Sequence, residues 1–211
     1  IDEPSILSIA ETHTDVLCNA GNTGAINIDV SGATAPYVYL WNDAVTTEDR
    51  SNLNAGVYFV TVHDNNQCSA TQSVNVSEPS TLVATETHVD VSCFGASTGS
   101  IDVTSNGGIS PYSYVWSDGF SNEDRSNIAA GNYVVSVNDS NACATMLSVI
   151  ISQPNAISIS EVHINALCFG SSDAVIDITA SGGSSPYVYA WNDLVTTEDR
   201  NNLTAGTYSV T

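Results

Sequence analysis

One ten-residue stretch, GGISPYSYVW at 107–116, gives the clearest structural signal in the chain. After its proline, Tyr112, Tyr114 and Trp116 alternate with smaller side chains, and alternate residues of a β-strand point to the same face. The same ten positions read GATAPYVYLW at 32–41 and GGSSPYVYAW at 182–191. The stretch therefore predicts one aromatic strand that occurs three times.

The repetition extends along the whole chain in steps of 75 residues, which are kept by Cys18, Cys93 and Cys168 and by the three tryptophans and three arginines. We divide the 211 residues into repeat 1 (4–78), repeat 2 (79–153) and repeat 3 (154–211), which stops short of the end of its unit. Residues 1–3 resemble the tail of a preceding repeat. We therefore expect a longer array that continues at both ends.

Each repeat is predicted to be all-β. Short alternating runs such as 26–30 and 58–62 are separated by Gly, Asn and Asp, and no segment keeps a helical period. The tryptophan falls on the third predicted strand, and a Leu/Ile-x-x-Gly-x-Tyr motif recurs at 53–58, 128–133 and 203–208. Both features are typical of immunoglobulin-like sandwiches, where such a tyrosine hydroxyl bonds to the backbone a few residues upstream. The predicted fold is a tandem array of immunoglobulin-like β-sandwiches.

The charge balance excludes several functions. Lys+Arg total 3 against 23 Asp+Glu, which gives a net charge of −20, so we expect no binding to nucleic acid. The chain has no lysine for Schiff-base chemistry, and no set of residues is spaced as a catalytic nucleophile with its base, so we predict that it is not an enzyme. Its apolar runs are too short for a membrane span, so no membrane insertion is expected.

The five cysteines suggest cystines within the repeats. Cys18 and Cys68 lie 50 residues apart, as do Cys93 and Cys143, and Cys168 has no counterpart within 211 residues. We predict the bonds Cys18–Cys68 and Cys93–Cys143, with Cys168 unpaired because its repeat is cut short. Closing such a loop would add on the order of 4 kcal/mol to a small sandwich. Structural cystines imply an oxidising location outside the cell or at its surface.

The aromatic strand has two interpretations. Its rings either form the core of the sandwich, which the smaller residues at alternate positions favour, or form an exposed platform for stacking sugars. The residues concerned are Tyr37, Tyr39, Trp41, Tyr112, Tyr114, Trp116, Tyr187, Tyr189 and Trp191.

Acidic loops follow each aromatic strand. Clustered carboxylates are ligands for Ca²⁺, and the alternative is a solvated, hydrogen-bonded loop in which the adjacent arginine pairs with a carboxylate. The candidate residues are Asp43, Glu48, Asp49, Asp118, Glu123, Asp124, Asp193, Glu198 and Asp199. Beyond Ca²⁺ we expect no cofactor. Two Asp-x-Asn motifs that begin at Asp64 and Asp139 predict Asx-type turns. Each His–Glu pair, such as His13 with Glu11, is predicted to be a hydrogen bond without a catalytic role.

Several motifs together resemble the SprB repeat: CFGxS at 93–97 and 168–172, GGxxPYxYxW at 107–116 and 182–191, and VxDxNxC at 137–143. The arginines at 50, 125 and 200 depart from the family pattern, where an apolar residue is expected. SprB repeats occur in very large gliding-motility adhesins of Bacteroidota. The resemblance implies export by type IX secretion, display on the cell surface and no enzymatic role.

Very short linkers, SEPS at 77–80 and SQPN at 152–155, join the repeats, and their prolines restrict the chain. We therefore expect the neighbouring repeats to be each other's partners in a stiff structural or adhesive filament shaft, with surface polysaccharide or other filament chains as external partners. The alternative function is a carbohydrate- or Ca²⁺-dependent binding module repeated along the chain.

Overall fold

The computed structural model describes residues 3–211, so the tail predicted at 1–3 lies outside the described residues except for Glu3. Every element is a β-strand: β1 (Ser8–Thr14), β2 (Gly24–Ser31), β3 (Val38–Trp41), β4 (Arg50–Leu53), β5 (Gly56–His63), β6 (Ser69–Val76), β7 (Val83–Val89), β8 (Gly99–Asn106), β9 (Ser113–Trp116), β10 (Arg125–Ile128), β11 (Gly131–Asn138), β12 (Ala144–Ile151), β13 (Ser158–Ile164), β14 (Ala174–Ser181) and β15 (Arg200–Leu203).

Repeat 1 is an immunoglobulin-like sandwich. One sheet has the order β1-β2-β4 and the other the order β3-β5-β6, and all the pairs are antiparallel. This arrangement matches the A-B-E and C-F-G strands of immunoglobulin domains, with no counterpart of strand D among the described residues. The predicted fold class is confirmed.

The core of repeat 1 lies between its two sheets. Strand β2 supplies Ile26 and Ile28, and strand β5 supplies Val60 and Val62, while the residues between them face outward. The alternation of apolar and polar residues in the sequence therefore sets which face of each strand is buried. The complete buried cluster is Val16, Ile26, Ile28, Trp41, Leu53, Val60, Val62, Val74 and Val76.

The other two repeats show the same strands. Repeat 2 has the sheets β10-β8-β7 and β12-β11-β9, and repeat 3 has the sheet β13-β14-β15 together with a bridge between Trp191 and Val210. Close contacts group the chain into two compact units that do not follow the repeat boundaries. Among the described residues, the first unit contains 3–86, 103–123 and 134–147, and the second contains 87–102, 124–133 and 148–211. The boundaries 4–78, 79–153 and 154–211 remain a sequence prediction.

Each aromatic strand follows a cis peptide bond before a proline, at Ala35-Pro36, Ser110-Pro111 and Ser185-Pro186. Strand β4 contains a bulge against β2, where Asn52 has a positive φ of 57°. Asparagine tolerates this left-handed conformation better than most residues, and Asn127 and Asn202 occupy the equivalent positions with φ of 55°.

Candidate functional site

The aromatic strands face the interior of the sandwiches. The tryptophans Trp41, Trp116 and Trp191 are 2%, 1% and 4% exposed, whereas Val38 and Leu40, on the opposite face of β3, are about half exposed. Tyr114 is buried and the other five tyrosines of these strands are half-buried. The core interpretation is confirmed, and no ring of the three tryptophans is free to stack on a sugar.

The polar atoms of these rings are used within each repeat. Tyr37 donates from its hydroxyl to the carbonyl oxygen of Gly32 at 2.6 Å, and the Trp41 indole N–H donates to the carbonyl oxygen of Thr47 at 2.8 Å. Equivalent bonds recur in repeats 2 and 3. The buried rings thus satisfy their own donors and hold the loops around them in place.

The middle tyrosine of each strand donates to a carboxylate of the acidic loop. Tyr39 donates to Glu48 at 2.6 Å, Tyr114 to Glu123 at 2.6 Å, and Tyr189 to Glu198 at 2.7 Å. The bond to Glu198, together with burial, raises the pKa of Tyr189 to about 12.

The arginine after each acidic loop is the centre of a compact cluster. Arg50, whose side chain is 10% exposed, donates two hydrogen bonds to Asp43, at 3.0 and 2.6 Å. Its guanidinium carbon also lies 5.2 Å from the centre of the Trp41 ring and 5.7 Å from that of Tyr58. The flat guanidinium can stack and bond at once, so an arginine fits where an apolar residue was expected. The hydrogen bonds from Arg50 hold the pKa of Asp43 below its usual range.

Repeat 3 forms the same cluster: Arg200 bonds Asp193 at 2.9 and 2.5 Å and lies over Trp191 and Tyr208. In repeat 2, Arg125 lies over Tyr133 at 5.0 Å. The sequence predicted a partner carboxylate for the arginine but not the two stacked rings. The recurring Arg and Tyr positions carried the only signal for this contact, and a shared period does not show that two residues touch.

The predicted Ca²⁺ ligands engage separate partners. In repeat 1, Asp43 accepts from Arg50, Glu48 accepts from Tyr39, and Asp49 accepts from the backbone N–H of Ile28 at 3.0 Å. In repeat 3, Asp193, Glu198 and Asp199 have the equivalent partners. In repeat 2, Asp118 accepts from the N–H of Phe120. Among residues 3–211 no group of three or more His, Cys, Asp or Glu is placed to hold a metal.

The backbone bond of the tyrosine in the Leu/Ile-x-x-Gly-x-Tyr motif, known as a tyrosine corner, is confirmed, and so are the His–Glu contacts of repeats 1 and 3. Tyr58 donates to the carbonyl oxygen of Asn54 at 3.0 Å, and Tyr133 and Tyr208 make the same bond four residues upstream. His13 contacts Glu11 at 3.1 Å and His163 contacts Glu161 at 3.0 Å, and all four residues lie on the first strands of their repeats.

The Asp-x-Asn motifs form Asx turns that shape the cysteine loops. Asp64, only 2% exposed, accepts hydrogen bonds from the N–H groups of Thr34, Asn66 and Cys68 at 2.7–3.1 Å. Asp139 accepts the equivalent bonds from Ile109, Asn141 and Cys143, each at 2.9 Å. Burial alone would raise the pKa of Asp139, but the three backbone donors outweigh it and the pKa is lowered.

The predicted cystine pairing is wrong. The structure contains the bond Cys18–Cys143, with the Cα atoms 5.7 Å apart, while Cys68, Cys93 and Cys168 are free and exposed. The predicted bonds Cys18–Cys68 and Cys93–Cys143 are both absent. Instead, a cysteine of repeat 1 is joined to a cysteine of repeat 2.

Strand direction explains the correction. Just before Cys18, the N–H of Val16 donates to the carbonyl oxygen of Ser77 at 2.9 Å, so the end of β1 lies beside the end of β6. Cys68 immediately precedes β6, so eight strand residues, about 26 Å of extended chain, separate it from that position. A cystine needs Cα atoms within about 7 Å. Cys18 and Cys68 therefore lie at opposite ends of one sandwich.

Hydrogen bonds surround the Cys18–Cys143 bond where repeat 1 meets repeat 2. The Asn141 side chain donates to the carbonyl oxygen of Leu17 at 2.9 Å. Asn19 donates to the carbonyl oxygen of Pro79 at 3.1 Å and accepts from the Thr81 hydroxyl at 2.7 Å. We call this group, together with the Cys18–Cys143 bond, the repeat junction.

The model of the SprB repeat matches this chain three times, at residues 10–46, 85–120 and 161–196, which together are just over half of the 211 residues. This chain belongs to the SprB repeat family. One match falls in each repeat, which confirms the resemblance noted from the motifs. SprB repeats are surface-protein repeats without enzymatic activity, so the chain is a repeated cell-surface structural or adhesive module.

Similarity to solved structures is distant. Domains 4–9 of the surface layer protein SbsC are 13% identical with a TM-score of 0.30, over 95% of this chain and 38% of that one. A chain of the complex of Dpr2 Ig1-Ig2 with DIP-Theta Ig1-Ig3 is 9% identical with a TM-score of 0.25, and the match covers 89% of this chain and 81% of that one. The chain thus spans 38% of the SbsC fragment. No curated protein matches it. Residues 3–211 include no helix with the length and hydropathy of a membrane span.

Proposed function

We propose that this SprB-repeat chain is a segment of the shaft of a long extracellular filament, in which it acts as a stiff spacer that bears load. The repeat junction is the observation that carries the proposal, because it joins two repeats by a covalent bond and by side-chain hydrogen bonds. Membership of the SprB repeat family supports a location at the cell surface. The proposal also includes export by type IX secretion and a role in gliding adhesion.

The linkers support a fixed spacing between repeats. At the first linker, Ser77 donates its N–H to Asp15 at 2.7 Å and accepts from Val16. At the second linker, Ser152 donates its N–H to Asp90 at 2.7 Å and accepts from Val91. Because each linker is bonded to the repeat that it leaves, it has little freedom to act as a flexible tether.

Charge favours the same role. A net charge of −20 with three cations makes every repeat repel its neighbours and other filaments, although salt screens this repulsion beyond about 8 Å. Repulsion also limits edge-to-edge association of exposed strands. Adhesion to surface polysaccharide or to other filament chains would then depend on local contacts rather than on general attraction.

Small-angle scattering of the oxidised protein tests the spacer. Strands of eight residues at about 3.3 Å plus end loops make each repeat about 35–40 Å long, so three repeats in line would span on the order of 100 Å. A compact globule of 211 residues has a radius of gyration of about 17 Å. The radius of gyration of a thin rod is its length divided by the square root of 12, so a rod of about 100 Å built from such strands has a radius of gyration of about 29 Å.

We expect a value near that of the rod in the wild-type protein and in Cys68→Ser, which removes a free thiol. Cys18→Ser, which breaks the junction bond, should broaden the distance distribution because the first joint loosens. A wild-type value near that of the globule would contradict the proposal.

A further inference from the structure

The Cys18–Cys143 bond sets a pairing rule that applies to the remaining cysteines. It joins the first cysteine of one repeat to the second cysteine of the next, at a sequence separation of 125. Cys93 and Cys168 are first cysteines, and Cys68 is a second cysteine. Under the same rule none of these three has a partner within residues 1–211, and all three are exposed thiols.

The loops around the first cysteines are alike whether or not the cysteine is bonded. The carbonyl oxygen of Cys18 accepts from Gly21 at 2.9 Å, and those of Cys93 and Cys168 accept from the residue at the same position, each at 3.1 Å. The residue two positions after each cysteine has a positive φ, 57° at Ala20, 74° at Gly95 and 78° at Gly170. Cys93 and Cys168 are therefore presented as Cys18 is.

The loops around the second cysteines are also alike. The N–H of Cys68 is held by Asp64 at 2.7 Å and that of Cys143 by Asp139 at 2.9 Å. The residue before each cysteine has a positive φ, 65° at Gln67 and 62° at Ala142. Because Cys68 adopts this conformation as a free thiol, the buried aspartate shapes the loop and the cystine does not.

One difference between these loops marks where a neighbour docks. In repeat 2 the Asn141 side chain donates across the junction to Leu17, whereas in repeat 1 the equivalent Asn66 donates to Thr34 of its own repeat at 3.1 Å. At the other end of the chain, Leu167 and Phe169 flank Cys168 and are 81% and 110% exposed. Leu17, which precedes Cys18 as Leu167 precedes Cys168, is 49% exposed where the Asn141–Cys143 loop lies against it.

We propose that SprB repeats of this type are joined by a ladder of cystines, each linking the first cysteine of a repeat to the second cysteine of the repeat that follows it. Cys93 and Cys168 are then attachment sites for following repeats, and Cys68 is one for a preceding repeat. Each rung forms when two thiols lose two protons and two electrons to a disulfide oxidant such as oxidised glutathione, which becomes two glutathione thiols. The ladder does not depend on what the filament does.

The test is to extend this chain after Thr211 by one copy of residues 137–153. Thr211 corresponds to position 136 of repeat 2, so this copy continues repeat 3 with a second cysteine and a last strand at the equivalent positions. The protein is oxidised with glutathione in dilute solution, and its cystines are mapped by non-reducing digestion and mass spectrometry. Thiols that remain free are alkylated before digestion. We expect Cys93 to be bonded to the appended cysteine and therefore protected from alkylation. The Cys18–Cys143 bond should be unchanged, and Cys168 should be alkylated as a free thiol. A bond from Cys168 to the appended cysteine, or a free Cys93, would overturn the ladder.

Three cysteine variants complete the test, and the third does not depend on how the extended protein folds. In the extended chain, Cys93→Ser should leave the appended cysteine free, and Cys168→Ser should leave its bond intact. In the original chain, Cys143→Ser should leave Cys18 as a free thiol, because Cys68 is out of reach. The appearance of Cys18–Cys68 in that variant would refute the geometry on which the ladder rests. These outcomes are read from the cystines alone. A failure of the cystine ladder can therefore be told apart from a failure of the stiff spacer, which is tested by scattering.

Discussion

Stretching single molecules from their two ends distinguishes the observed cystine from every other pairing. The perturbation is removal of the Cys18–Cys143 bond, either by reduction or by Cys18→Ser. While the bond is intact, force cannot reach the residues between the two cysteines, because the load passes through the sulfur atoms.

The lengths follow from the sequence separation of 125 between the bonded cysteines. An extended chain reaches about 3.4 Å per residue, so the protected loop hides about 420 Å. The oxidised protein should therefore extend to about 290 Å, and the reduced protein of 211 residues to about 710 Å.

The assay is force spectroscopy in oxidising and in reducing buffer, with the molecule held by handles at its two termini. Reduction under load should release one increment of about 420 Å, and Cys18→Ser should show the long extension without reductant. Cys68→Ser is the matched control and should behave as the wild-type protein. Two increments of about 170 Å each, the length of two 50-residue loops, would show cystines within the repeats and would refute our reasoning.

Other predictions concern the core and the carboxylates. Arg50→Lys loses the flat stack on Trp41, worth about 1 kcal/mol, and should lower the melting temperature by about 4–8 °C, while Ser51→Lys, on the exposed neighbour, should not. Because Trp41 is 2% exposed, a panel of sugars should leave the tryptophan fluorescence unchanged, and quenching would favour the binding-module alternative. Melting temperatures should not differ between Ca²⁺ and EDTA, and a rise with Ca²⁺ would restore the metal hypothesis. The side-chain and backbone hydrogen bonds of Ser77 lower the pKa of Asp15, and His13 nearby is a minor cause. The stabilisation that these bonds give is therefore full above the unfolded pKa of about 3.9 and is lost as the pH falls through the lower pKa of the folded state. In thermal melts from pH 7 to pH 2, the difference in melting temperature between the wild-type protein and Asp15→Asn should be constant above about pH 4 and should shrink as the pH falls further.

The sequence by itself determined the features that depend on local spacing. The alternation around Ile26 and Val60 determined which faces are buried, and the repeated aromatic stretch placed Trp41 in the core. The Asx turn at Asp64 and the tyrosine corner at Tyr58 were also predictable, because each involves hydrogen bonds between residues close in sequence.

Only the tertiary structure decided which cysteines and which rings meet. A period of 75 residues permits pairing at a separation of 50 as well as at 125, and the choice depends on whether the end of β1 lies beside the start or the end of β6. The contact between Arg50 and Tyr58 likewise depends on how strands β4 and β5 are positioned. The periodicity of a strand indicates which face of the sheet a side chain lies on, but it does not indicate which residue that side chain contacts. Local pattern sets orientation along one strand, whereas the distance between strands is set by the packing of the whole sandwich.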